Sequence, residues 1–261
     1  MMLTRRELLQ AGVLVGATVR FGSAQTLPLL GLIAPPANYP VPPEGLALYE
    51  KHLRFTVYGL GLKSMTPAGY DSVIDGIVPA AIRQAKEGAK GIVIFGTSLT
   101  FYRGAAFNQK LIDDVKKATG LPTTSMSTAV IDGLKAMGGR RIAVATAYAD
   151  EVNGRLTTFL RESGFEVLGL RGLGLEAIGE PGKVDQAQLR TFCAGAFKAA
   201  PRADALLVSC GGLRTLEIIA PLEAETRVPV ISSTPHALWA GMRLVGLNVK
   251  APGYGRLLAN G

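Results

Sequence analysis

Ala205-Leu-Leu-Val-Ser-Cys-Gly-Gly-Leu213 is a short apolar run closed abruptly by turn residues. A run of that length without polar alternation is what a strand buried on both faces of a parallel sheet requires. Cys210 then stands at the carboxyl end of the strand, where open α/β sheets bind ligands. Gly211 and Gly212 leave backbone N–H groups open to the close approach of an anion. On residue type alone a buried structural cysteine is the more ordinary reading of Cys210, because free cysteine is among the most buried residue types.

The same form occurs earlier in the chain. Gly91-Ile-Val-Ile-Phe-Gly96 precedes Ala205-Leu-Leu-Val-Ser-Cys210 by 114 residues, and Gly120-Leu-Pro-Thr-Thr-Ser125 precedes Arg227-Val-Pro-Val-Ile-Ser232 by 107. Each half reads as strand and helix alternating four times. Strands are expected at 27–34, 54–58, 91–95, 121–125, 141–146, 165–170, 205–209 and 228–233. Helices are expected near 44–52, from Pro67 through the apolar face Val73, Ile74, Ile77, Val78, Ala81 and Ile82, and at 108–119, 127–137, 150–163, 186–200, 215–225 and 237–245. Ser127 or Thr128 is the expected cap of one of these. Residues 36–43, rich in proline, and 171–183, rich in glycine, read as loops or short helix. The expected fold class is α/β: two pseudo-symmetric lobes, each a mainly four-stranded parallel sheet flanked by helices, with the site in the cleft between them. The lobes are 25–138 and 139–245, and residues 246–261 are expected to pack back on the first lobe.

Composition narrows the function. A chain of 261 residues, 48% hydrophobic and 18% charged, buries a sizeable core and is not disordered. The net charge of +8 is scattered, with no basic stripe interleaved with aromatics, which argues against nucleic-acid binding and agrees with a small anionic substrate. Cys193, Cys210, His52 and His236 have no metal-ligand spacing. Cys193 lies on a helical pattern and reads as structural, His52 as surface, and His236, after Thr234-Pro235, as a loop residue near the cleft.

The paired turns Gly96-Thr97-Ser98 and Cys210-Gly211-Gly212 resemble those of the aspartate/glutamate racemase superfamily. Members join two α/β lobes around a site with one thiol from each. Here Gly96 stands where racemases and maleate isomerases carry the first cysteine, a departure that matches the arylmalonate decarboxylase branch. The resemblance spans nearly all of residues 30–258. It is carried by Gly59-Leu-Gly-Leu62, Thr66-Pro-Ala-Gly-Tyr-Asp71, Phe101-Tyr-Arg-Gly-Ala-Ala-Phe-Asn108, Met126-Ser-Thr-Ala-Val130, Ala145-Thr-Ala-Tyr148, Ser209-Cys-Gly-Gly-Leu213 and Pro252-Gly-Tyr-Gly-Arg256. It implies decarboxylation, without a cofactor or metal, of a small dicarboxylate, an α-aryl or α-vinyl malonate. The enediolate would be held by a dioxyanion hole of Thr97, Ser98 and Tyr148 with backbone N–H groups near Ser98, Cys210, Gly211 and Gly212. Cys210 would protonate it from one face, and Pro35, Leu62, Met65, Leu99, Leu175 and Ile178 would form the apolar pocket. Without the resemblance, Thr97 and Ser98 read equally as helix caps, Tyr148 as a half-buried aromatic, and Arg103 as a loop-stabilising or a carboxylate-binding residue. A racemase or maleate cis-trans isomerase of the same superfamily is the alternative reaction. A periplasmic carboxylate-binding protein, which needs no thiol, is the alternative of another class. A monomer or small homo-oligomer is expected.

The amino terminus stands apart. Thr4-Arg-Arg-Glu-Leu-Leu-Gln10 has the paired arginines of a twin-arginine signal, an apolar run from Ala11 to Val19 follows, and Gly22-Ser-Ala24 supplies small residues for cleavage. Residues 1–24 therefore read as a signal peptide directing export to the periplasm, with an apolar run too short to span a membrane. Export predicts that protein recovered from its own host fractionates with the periplasm and begins near Gln25. An intact Met1 on cytoplasmic protein, seen by amino-terminal mass spectrometry, would refute it.

Overall fold

The structure, a computed structural model, describes residues 26–261, so the expected signal segment lies outside the described residues. The first half runs β1 (Leu29–Ala34), α1 (Pro43–Tyr49), β2 (Arg54–Gly59), α2 (Pro67–Asp71), α3 (Ile77–Lys86), β3 (Gly91–Ile94), α4 (Thr97–Phe101), α5 (Ala105–Thr119), β4 (Thr123–Ser125) and α6 (Met126–Ala136). The second runs β5 (Arg141–Tyr148), α7 (Asp150–Glu162), β6 (Glu166–Leu175), α8 (Gln186–Lys198), β7 (Ala205–Ser209), α9 (Leu216–Thr226), β8 (Val230–Ser232) and α10 (Ser233–Leu244), followed by α11 (Arg256–Asn260). The sheets have the orders β2-β1-β3-β4 and β6-β5-β7-β8, the same winding twice. Every strand pair is parallel. β3 and β7, the two runs from which the duplication was read, are buried at every residue and end side by side with the carboxyl ends of β1 and β5.

Local chemistry sets most element boundaries. Thr66, extended, accepts from the Gly69 N–H at 3.2 Å and caps α2, with Pro67 at the first helical position. The apolar face beyond it is broken: a 3-10 turn at Ile74–Gly76 separates α2 from α3. α6 is capped by Ser125, whose Oγ accepts from Thr128 N at 3.0 Å, and not by Ser127 or Thr128. β6 continues to Leu175, through a glycine-rich segment expected to be irregular, because its backbone keeps pairing with β5 across two register shifts. α10 starts four residues before the expected Ala237, at Ser233, since Pro235 is tolerated in a first turn that lacks intrahelical N–H partners.

The two lobes are not divided where the sequence divides. α10, at the end of the second half, packs on α6, β3, β4 and α1 of the first, while α6 of the first half also packs on β8. Gly241 makes the α10 crossing possible: a Cβ there would lie 2.7 Å from Leu30 Cδ2 and 2.8 Å from Val93 Cγ2. Gly133 does the same for α6, with Ile231 Cγ2 3.3 Å from its missing Cβ. The carboxy-terminal segment, expected on the first lobe, has its polar anchors on the second. Buried Glu223 of α9 accepts from Arg256 N at 2.9 Å, and the Arg256 guanidinium donates to the Arg227 carbonyl at 3.2 Å. Leu257 reaches across to α6 beside Gly133.

Overpacking the crossing tests this account. Gly241→Val is expected to cost about 1–3 kcal/mol and lower Tm by roughly 2–12 °C. Gly154→Ala, where a Cβ meets open space in α7, should leave Tm unchanged or higher. Equal Tm values for the two variants by calorimetry would contradict it.

Candidate active site

The carboxyl ends of β3 and β7 face one another across the cleft, and each leads into a turn. After β3 the chain passes through Phe95 and Gly96 into α4, whose amino end has no side-chain cap, so the first N–H groups of that helix remain available. After β7 it passes through Cys210, Gly211 and Gly212. A narrow cavity of about 60 Å³ lies between the turns, lined by Pro35, Pro36, Tyr39, Leu62, Met65, Phe95, Gly96, Ser98, Ile178, Cys210, Gly211 and Gly212. It opens to a vestibule of about 310 Å³, where Glu44 and Arg214 line the walls with the proline-rich 36–43 loop. A larger open groove of about 690 Å³ between α8 and α9 is polar and contains neither a thiol nor a strand end.

The roof of the cavity is a clasp between the lobes. Met65 N donates to the Glu176 carbonyl at 2.8 Å, Ile178 N donates to the Lys63 carbonyl at 3.4 Å, and Ser64 forms an antiparallel bridge with Ala177. This clasp brings Leu62 and Met65 from the first half and Ile178 from the second to one cavity. Of the six residues expected in the apolar pocket, Pro35, Leu62, Met65 and Ile178 line it. Leu99 is fully buried behind Gly96, and Leu175 lies beside Tyr148 at the end of β6, so neither reaches the cavity wall.

Gly96 has φ of +94° and ψ of +93°, a conformation costly for a residue with a Cβ. A Cβ there would also lie 2.4 Å from Pro35 Cγ. Across the cavity Cys210 is 5% exposed. Burial pushes its thiol up to about 11, against the opposing pull of the Gly212 and Leu213 N–H groups and the Tyr148 hydroxyl. The thiol is therefore protonated at neutral pH and can give a proton. Tyr148 is buried, with its hydroxyl 3.3 Å from Ser209 Oγ and burial raising its pKa well above the usual range. Cys193 is fully buried in α8 and its thiol is pushed up to about 12 by burial, away from the cleft elements.

The expected anion-holding groups divide. Thr97, Ser98 and Tyr148 are buried close together at the strand ends, and Gly211 and Gly212 line the cavity. The Cys210 N–H, expected to face an anion, is instead donated to Ser233 Oγ at 3.2 Å. His236, expected in a loop, is the fourth residue of α10 and almost fully buried. Its Nδ1 rests on the Ser232 backbone, 2.9 Å from N and 2.8 Å from O, and burial lowers its pKa to about 4, so it is neutral. Arg103 pairs with Asp71 at 2.7 Å and stacks on Tyr102 and Phe107, which makes it a support of the 101–108 turn. His52 is exposed.

Three residues in or beside the cavity were not singled out from sequence. Tyr39 lines both cavity and vestibule. Tyr70, fully buried, has a hydroxyl with no well-formed hydrogen bond, and that hydroxyl lies near Ser98 and Cys210. Ser233 links the two turns, its Oγ 3.2 Å from Cys210 N and 2.7 Å from Thr97 Oγ1. For Tyr70 the signal was present in the capped helix start Thr66-Pro67. For Ser233 it was hidden by the misplaced start of α10. Among the described residues, no group of three or more His, Cys, Asp and Glu side chains could hold a metal ion, and no helix is long and apolar enough to cross a membrane.

Residues 30–258 match the family model described as arylmalonate decarboxylase. The chain is 51% identical over 231 residues to arylmalonate decarboxylase of Bordetella bronchiseptica, covering 88% of this chain and 96% of that one. A liganded arylmalonate decarboxylase variant, with one glycine changed to cysteine and one cysteine to serine, superposes with a TM-score of 0.86 at 49% identity, covering 88% of this chain and 98% of that one. A Nocardia farcinica maleate cis-trans isomerase variant holding a covalent succinylcysteine superposes with a TM-score of 0.82, covering 89% and 98%; at 21% identity the likeness is one of fold.

The raised thiol has a direct readout. Iodoacetamide should modify Cys210 at a rate that climbs about tenfold per pH unit from pH 7.5 to 10, without levelling near pH 9 as an ordinary thiol does. A plateau below pH 9, followed peptide by peptide by mass spectrometry, would contradict the buried, protonated thiol.

Proposed function

The chain belongs to the arylmalonate decarboxylase family, and from that premise we propose that it decarboxylates α-aryl or α-vinyl malonates through an enediolate that Cys210 protonates on one face. The observation that carries this reading is a single protonated thiol facing, across an apolar cavity, a strand end where Gly96 offers no second one.

One carboxylate of the substrate lies among Thr97, Ser98, Tyr148 and the N–H groups of the Gly211–Gly212 turn. The other lies against Pro35, Leu62, Met65 and Ile178, where apolar surface disfavours its charge and favours neutral CO₂. As the carbon–carbon bond breaks, its electron pair moves to the α-carbon and into the retained carboxylate. The donors around that group then strengthen as negative charge builds on it, which is where preorganised hydrogen bonds accelerate most. The Cys210 proton goes to the α-carbon, giving the monocarboxylate and a thiolate that regains its proton from solvent. The cavity, about 60 Å³, is narrow beside an aryl malonate, so part of the substrate extends into the vestibule, which shares Tyr39 and Ile178 with it.

A covalent route of the kind implied by a succinylcysteine needs a thiolate that attacks carbon. A thiol whose pKa burial raises to about 11 leaves little thiolate at neutral pH to attack carbon and keeps the proton that the enediolate takes. A carboxylate-binding protein would not need the thiol at all.

Cys210→Ser should lower kcat on phenylmalonate by about 10²–10⁴-fold while keeping affinity for phenylacetate within a few-fold by calorimetry. Wild-type product from an α-methyl, α-aryl malonate should be one enantiomer by chiral chromatography, and should take up no α-deuterium on standing with enzyme in D₂O. Binding without turnover in the wild type would point to the binding protein, and α-proton exchange of the product to a racemase.

A further inference from the structure

Ser233 is the first residue of α10, 1% exposed, and touches both halves of the cleft. Its Oγ lies 3.2 Å from Cys210 N and 2.7 Å from Thr97 Oγ1. An N–H can only donate, so Ser233 Oγ accepts from Cys210. That leaves the Ser233 hydroxyl proton to be placed, and Thr97 Oγ1 is the acceptor within reach. If Thr97 donated to Ser233 instead, the Ser233 proton would have no other acceptor beside it, whereas with Ser233 donating the Thr97 proton still faces the Tyr148 hydroxyl. The chain of donors therefore runs Cys210 N–H to Ser233 O–H to Thr97 Oγ1.

We propose that Ser233 is a positioning residue that turns the Thr97 hydroxyl proton toward the carboxylate retained in the cleft. The inference rests on the decarboxylation reading above and adds a residue to it. With its lone pair occupied by Ser233, Thr97 directs its own proton outward, into the space shared with Tyr148 and Ser98. The Thr97 backbone is held as firmly, its carbonyl accepting from Thr100 Oγ1 at 3.0 Å and Ser127 Oγ at 2.9 Å. A hydroxyl that already accepts one hydrogen bond is a stronger donor for the next, so the relay also polarises Thr97 toward developing negative charge. It couples the turn that carries the proton-donating thiol to the turn that holds the anion. Each half of the duplicated chain thus supplies one end of the relay, and the exchanged helix α10 supplies its middle.

A double-mutant cycle tests the relay. Thr97→Val should lower kcat on phenylmalonate by about 10²–10³-fold and Ser233→Ala by about 10–100-fold, with KM nearly unchanged in the latter. The double variant should be no slower than Thr97→Val alone, because Ser233 acts through Thr97. Losses that multiply in the double variant, or a Ser233→Ala enzyme with wild-type kcat, would overturn the proposal. Should Ser233→Ala fail to fold, the isosteric pair Ser233→Thr and Ser233→Val carries the comparison: at least tenfold faster turnover by Thr supports the relay, and equal turnover refutes it. If wild-type protein does not decarboxylate phenylmalonate, the reaction proposed above is wrong. The same cycle is then read in phenylacetate affinity, where additive losses refute the relay and non-additive losses support it.

Discussion

Everything at the cleft depends on the exchange of helices between the halves. α10 leaves the second sheet and lies on the first, α6 leaves the first and reaches the second, and Gly241 and Gly133 let each approach at backbone distance. Protein interiors resist small displacements because they are packed as densely as organic crystals. Separating the lobes would mean unpacking these crossings, and each exchanged helix begins beside the turn of the opposite half. Ser233 meets Thr97, and the sulfur of Met126, first residue of α6, packs beside Gly211.

This rigidity suits a reaction whose barrier falls mainly through fixed hydrogen-bond donors, since donors already oriented cost nothing to reorganise as charge appears. The roof over the proposed substrate position is the small clasp of residues 63–65 against 176–178, joined by a few backbone hydrogen bonds. The cleft thus combines a floor of paired strand ends with a roof that few hydrogen bonds join.

Sequence carried the architecture because buried parallel strands are written as apolar runs. The eight strands, their duplication and the Cys210–Gly96 opposition were all legible in it. Several misreadings arose where the deciding partner lay far away in sequence. β6 remains a strand through Gly172 and Gly174 because β5 is alongside. α10 begins at Ser233 because tertiary packing stabilises a first turn containing Pro235, and this turned His236 from a loop residue into a buried neutral one. α4, five residues long, is too short to show any periodicity. Leu99 and Leu175 are apolar and near the cleft in sequence, but the wall is set by the clasp. The Cys210 N–H could not be assigned until Ser233 was seen beside it.

The ring of Pro35 against Gly96 sets what a side chain at that position would meet. A Cβ at 96 would lie 2.4 Å from Pro35 Cγ and would stand at a backbone angle that L-residues rarely adopt. The two positions are therefore coupled: a change at 96 requires the proline ring or the local backbone to shift, and a change at Pro35 alters the space that position 96 has. The bare side of the cavity is a property of the pair rather than of the glycine alone.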